Sequence, residues 1–180
     1  SILADAPIPR VLTDETTGVI TSPKLPDTLL QAQAIVLLMP GTDAKATRAV
    51  LALNGASTIP LLASVDIFEI KDEKTNVQLD GIEFLQMPWL LGRNNAANVF
   101  VSQLKPLPSA RSLSGSRLNA FGIDAWLIST HLQAWLNNPN GTLNGATGSL
   151  HLEPNGTIER TLPWSIYRNG FPVTADGNQP

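Results

Sequence analysis

Two uninterrupted apolar runs flank one short amphipathic stretch, and that arrangement leaves few folds open to the first half of the chain. "AIVLLM" fills Ala34–Met39 and "TIPLLASVDIF" fills Thr58–Phe68. Neither alternates apolar with polar residues, so each reads as a strand with both faces buried. Between them a helix is expected to run to about Leu53. Thr42 or Asp43 can cap it, because a side-chain oxygen there accepts an orphan N–H of the first turn. Ala46, Ala49, Val50 and Leu53 form its expected apolar stripe, with Lys45 and Arg48 facing away. Asn54-Gly55 should end it, the glycine supplying a left-handed residue. Strand, helix, strand with continuous apolar strands is a βαβ crossover on a parallel sheet, which places the chain in the α/β class.

Composition narrows the function classes. Of the 180 residues, 43% are hydrophobic and 15% charged, which suits a packed core. The net charge is −3 without a basic run, so nucleic-acid binding has no electrostatic support. No polybasic segment is present to hold anionic lipid. Having no cysteine, the chain has no disulfide, thiolate zinc site or cysteine nucleophile. No apolar run reaches the roughly 18 residues of a membrane span. The first residue is Ser1, and a signal peptide or lipid-anchor cysteine is expected upstream of it.

The chain divides into six stretches. Residues 1–32 read as irregular, with one short extended piece at "GVITS". Residues 33–85 carry the βαβ unit, which belongs to one lobe. Residues 86–116 form a crossing: a strand ended by Pro88, a short helix opened by Asn94 or Asn95 with Ala96, Val99, Phe100 and Leu104 on one side, and the Pro/Ser-rich loop "KPLPSARSLSGS". Residues 117–138 give the strongest helix. Leu118, Phe121, Ala125, Ile128, Leu132 and Trp135 recur at spacings of three and four, widened by Trp126, Leu127 and Leu136. So wide a stripe expects cover on more than one side. Gly122 within it implies close packing, or a start nearer Asp124, which would then be an N-cap or first-turn acid. Residues 139–175 are a β-meander and residues 176–180 a tail. In the meander Leu150 and Leu152 point one way, "EPNG" turns the chain, and Ile158, Leu162, Trp164 and Ile166 line an inner face that also carries Arg160. Pro163 donates no hydrogen bond, so its strand should be an edge or be bulged there.

Chemistry has few footholds. "GATGSLHL" precedes a strand rather than opening a helix, so it is no phosphate loop. A G-x-S-x-G elbow is absent. His131 and His151, the only histidines, have no second ligand at metal spacing, so neither a metal nor any cofactor is expected. Asp124 is better read as a structural group than as a general base, and no catalytic residue is assigned. Ser64 and Asp66 close an apolar strand, and parallel sheets gather ligands at the carboxyl ends of their strands. Trp89, after "QMP", either stacks on a ligand in that cleft or packs in the core. These three are the cleft candidates.

Three segments in order carry a family resemblance. "FGIDAW" opens the long helix, "GATGSLHLE" matches G-x-T-G-x-L-x-x-(D/E), and "GTIERTLPW" matches G-x-I-x-R-x-L-x-W. With the βαβ unit before them, they resemble the C-terminal domain of the LppC/LpoA family, outer-membrane lipoproteins that activate a class A penicillin-binding protein. The likeness runs from about Gln33 to Val173 and is most specific in the last third. It implies a type I periplasmic-binding-protein fold of two lobes built on parallel sheets, crossed more than once. It also implies a non-enzymatic regulator on the periplasmic face of the Gram-negative outer membrane, tethered by an upstream lipid anchor. The alternative is a periplasmic receptor for an amino acid, peptide or muropeptide. The family's opening strands are not in this sequence, so a further chain segment or partner is expected to complete the fold. Arg160 is also arginine in the family pattern. A buried unpaired guanidinium costs several kcal/mol, so a carboxylate or carbonyl partner is expected, Asp124 first.

Overall fold

The structure, a computed structural model, describes residues 12–13, 20–21, 25–68, 76–92, 106, 113–138 and 141–175. β1 (Leu12–Thr13) and β2 (Ile20–Thr21) form a two-residue antiparallel ladder. The βαβ unit follows: β3 (Ile35–Leu37), α1 (Gly41–Leu53) and β4 (Leu61–Ala63), with the two strands paired in parallel. β5 (Glu83–Leu85) joins β4, also in parallel. α2 (Leu113–Asn137) leads to β6 (Thr142–Asn144), β7 (Ser149–Leu152) and β8 (Ile158–Thr161), a three-stranded antiparallel meander. β9 (Trp164–Arg168) and β10 (Phe171–Thr174) then return to the first sheet, whose order is β10-β9-β5-β4-β3. The short helix expected from Asn94 or Asn95 to Leu104 lies outside the described residues.

α1 turns a different face inward from the one its apolar spacing suggests. Gly41, Ala44 and Leu51 are buried, while Ala46, Ala49 and Leu53 are exposed. Its N-cap is Pro40, without a side-chain cap, so neither Thr42 nor Asp43 serves. Lys45 and Arg48 face the protein. The Lys45 Nζ donates to Asn76 Oδ1 at 3.1 Å, and the Arg48 guanidinium donates to the Gln78 and Asp80 carbonyls. Small residues let the helix lie close to the sheet, and the long cationic stems reach the turn at 76–81, which presents carbonyls to them. The C-terminus is as expected. Gly55 has φ +80°, Ala56 N donates to Leu51 O and Gly55 N to Ala52 O, the paired bonds of a Schellman cap.

The stretch 158–166, which reads as one strand, is two strands in two sheets. β8 pairs with β7, β9 pairs with β5, and Leu162-Pro163 is the switch between them. A proline suits that place because it has no N–H to leave unpaired as the chain changes partner. The parity of the inner face changes there too. Ser165 and Tyr167 are buried in β9, whereas Trp164 is exposed and Ile166 half-buried. The return hairpin turns at Asn169-Gly170, with φ of 53° and 81° suited to a two-residue turn.

Three apolar clusters hold these elements. Leu37, Ala44, Ile67, Phe68, Leu79, Ile82, Phe84 and Tyr167 fill the space between the first sheet and α1. Met87, Ala120, Ile123, Leu127 and Ala146 join the end of β5 to α2. Trp135, Leu150 and Leu152 join α2 to the meander. α2 therefore starts at Leu113, before the expected Arg117, and buries a stripe shifted from the expected one. Leu118, Phe121, Trp126, Leu132 and Leu136 are exposed, so the described residues cover α2 on one side.

Asp80 ties the hairpin to the turn beneath α1: its carboxylate accepts from Asn169 N at 3.0 Å and Gly170 N at 2.8 Å. Asp80→Ala is expected to lose about 1–2 kcal/mol, read as a lower urea midpoint at unchanged slope.

Candidate functional site

The carboxyl ends of β4 and β5 meet the first turns of α2, and the three cleft candidates lie there. Ser64 follows β4 and starts a single 3₁₀ turn, Val65–Ile67. Its N–H donates to Leu37 O at 3.0 Å, and its hydroxyl reaches Asp66 Oδ2 at a long 3.4 Å. Asp66 is exposed and Ser64 half-buried. Trp89 packs against the Met87 cluster; its indole Nε1 donates to Ser116 Oγ at 3.0 Å, and its backbone N–H to Ala146 O at 3.0 Å. Arg117, one residue on, donates to Val65 O at 3.4 Å. Trp89 thus joins β5 to α2, and Arg117 joins α2 to the end of β4. Sequence reasoning missed Ser116 and Arg117, because both sit in or beside a Ser-rich stretch that reads as linker.

Asp124 lies mid-helix, 4% exposed, so it is neither an N-cap nor a first-turn acid. Its Oδ1 accepts from Ala146 N at 2.5 Å; its Oδ2 accepts from Thr147 N at 2.9 Å and from the Thr147 hydroxyl. The carboxylate is satisfied by donors of one loop, which charge-assisted hydrogen bonds make strong. That loop explains the motif Gly145-Ala146-Thr147-Gly148 residue by residue. A Cβ on Gly145 would stand 2.7 Å from Asp124 Oδ1. Ala146 is fully buried, and Thr147 brings the third donor. Gly148 has φ +148°, and a Cβ there would lie 2.5 Å from Thr161 O, so the residue clears the path of β8.

Asp124 is consequently not the partner of Arg160. The guanidinium carbon of Arg160 lies 5.0 Å from the centre of the Phe121 ring, a cation–π contact, and the residue is exposed. Arg160 does share the α2-facing side of β8, opposite Leu150, but that side ends at Phe121 and opens to solvent. The expectation of a buried guanidinium fails because β8 is the meander's edge strand. The histidines take minor roles. His131 contacts Leu127 O from the exposed side of α2, and His151 stands 3.9 Å from Glu153. Among the described residues no group of three His, Cys, Asp or Glu is placed to hold a metal ion.

The C-domain of LpoA from Haemophilus influenzae, described as a regulator of PBP1A, superposes with a TM-score of 0.62 at 22% identity, over 80% of this chain and 45% of that one. A "putative branched-chain amino acid ABC transporter" of Chromobacterium violaceum superposes with a TM-score of 0.54 at 24% identity, over 76% of this chain and 42% of that one. The fold is thus of the periplasmic-binding-protein-like α/β class. Residues 29–170 match the family described as "LppC putative lipoprotein", and the chain belongs to that family. A penicillin-binding protein activator LpoA of Pectobacterium parmentieri is 37% identical over 95 residues, which are 52% of this chain and 13% of the relative's length. The chain thus matches a small part of such relatives.

Three changes separate the strong contact from the weak one. Asp124→Ala leaves three buried donors without an acceptor and is expected to cost about 3 kcal/mol or more. Gly145→Ala forces the carboxylate aside, at about 1–3 kcal/mol. Arg160→Ala loses no more than about 1 kcal/mol. Chemical unfolding of the three variants orders them.

Proposed function

We propose that this chain is part of a non-enzymatic envelope lipoprotein that activates a class A penicillin-binding protein through protein–protein contact. The observation that carries this reading is the family membership, together with relatives named penicillin-binding protein activators. The site is in keeping with it. The strand ends that would face a solute in a receptor of this fold are bridged to α2 by Trp89 and Arg117. No helix among the described residues is long and apolar enough to cross a membrane. The tether we infer is a lipid anchor upstream, which places the domain at the periplasmic face of the outer membrane.

A stimulation assay with a purified class A synthase tests the proposal. The protein is expected to co-purify with the synthase and raise its rate of peptidoglycan synthesis. An unchanged rate together with no co-purification would sink the reading. Calorimetric titration with amino acids and muropeptides is expected to give no saturable heat; a saturable signal would instead favour a receptor working through Ser64 and Asp66.

A further inference from the structure

Asn-Gly pairs stand in this chain at Asn54, Asn140, Asn144, Asn155 and Asn169. Such a pair can modify itself. The glycine backbone nitrogen attacks the asparagine side-chain amide, a five-membered ring closes, and glycine has no side chain to obstruct the approach. Asn140 lies outside the described residues, and the other pairs are held in different ways. The Asn54 amide is fixed at both ends: Oδ1 accepts from Leu25 N at 3.1 Å, and Nδ2 donates to Val50 O at 2.9 Å. Gly145 is buried, and its N–H donates to Gly148 O at 2.9 Å inside the Asp124 loop. Gly170 N donates to the Asp80 carboxylate at 2.8 Å, whose negative charge opposes loss of that proton. Asn155-Gly156 is freer. Both residues are exposed in the turn between β7 and β8, where the Gly156 N–H donates the turn's own bond, to Glu153 O at 2.9 Å. An exposed turn bond of that kind opens at little cost.

The side chain of Asn155 is also set up for the reaction. Its Oδ1 accepts from Thr157 N at 2.9 Å and from the Thr157 hydroxyl. This Asx turn carries the side-chain carbonyl over Gly156. Attack on the amide carbon places negative charge on that oxygen, where two donors already point. We infer that Asn155-Gly156 is a site of spontaneous backbone modification, with Thr157 stabilising the developing oxyanion. Gly156 N gives up its proton to solvent and bonds to Asn155 Cγ. The Cγ–Nδ2 bond then breaks, and Nδ2 takes a proton from water and leaves as ammonia. The resulting succinimide adds water at one of its two carbonyls. Opening at the former backbone carbonyl gives isoaspartate, whose main chain runs through Cβ and is longer by one methylene. Opening at the other gives aspartate. Either product puts a new carboxylate into a turn that already holds Glu153.

The test holds the full-length protein native in warm, mildly alkaline buffer and maps its peptides by mass spectrometry and isoaspartate methyltransferase labelling. Isoaspartate and aspartate at position 155 should accumulate about 10-fold faster than at 54, 144 or 169. Thr157→Val, which removes the hydroxyl and keeps the N–H, should slow position 155 about fivefold; an enclosed oxyanion donor contributes about 100-fold or more, and this turn lies in water. Thr157→Ser should stay within about twofold of the parent rate. In urea the effect of Thr157→Val should vanish, because the turn that aims the donors is gone. Equal rates at the four positions in the native protein, a valine variant as fast as its parent, or a valine effect that survives in urea overturns the proposal. Unchanged rates at 54, 144 and 169 report that the valine variant keeps its fold. Should they rise, Thr157→Ala, read in the same way, decides.

Discussion

The carboxylate of Asp124 is the contact on which the second half of this fold depends. It is buried in the middle of a helix, and its hydrogen-bond donors are two backbone N–H groups and one hydroxyl from a single loop. A charge in that position is tolerated only where donors are already aimed at it. The requirement fixes the loop at 145–148, and the loop in turn fixes its neighbours. Ala146 presents its carbonyl to Trp89, which joins the end of β5 to the same point. Gly148 leaves room for the backbone of β8 at Thr161. One side chain thus sets the spacing of α2, the end of the parallel sheet and the meander.

Apolar packing alone would not hold that register. The clusters around Ile123 and Leu127 and around Trp135 and Leu150 are non-directional and would tolerate some sliding of α2 along the sheet. Hydrogen bonds to a charge are directional and strong. The cation–π contact of Arg160 with Phe121 is at the solvent edge and contributes less. The arginine of the family-like segment therefore closes the rim of a packed face, and the aspartate of the earlier segment holds its centre.

Much of this was legible in the residues, for identifiable reasons. Continuous apolar runs gave β3, β4 and their parallel pairing, and Asn54-Gly55 and Asn169-Gly170 marked their turns because backbone geometry at those places depends on few neighbours. What could not be read depends on distant partners. The inward face of α1 is decided by the carbonyls of Gln78 and Asp80 waiting for Arg48, which no local spacing reveals. Gly122 promised close packing, yet a Cβ there would meet nothing within 4 Å. The break at Leu162-Pro163 was visible as a proline but not as a change of sheet. Of the site, Ser64, Asp66 and Trp89 do fall at the ends of the parallel strands, while their companions Ser116 and Arg117 were hidden in a stretch that reads as linker.

Under the proposed role, in which the protein acts by contact, this construction matters because a docking surface needs elements held in fixed register, not a reactive group. Whether Asp124 supplies that register can be read by NMR, through the scalar coupling transmitted across a hydrogen bond from the Thr147 amide nitrogen to the Asp124 carboxyl carbon. A measurable coupling is expected, with slow exchange of the Ala146 and Thr147 amides. Absent coupling, with both amides exchanging as fast as those of an exposed loop, would contradict it.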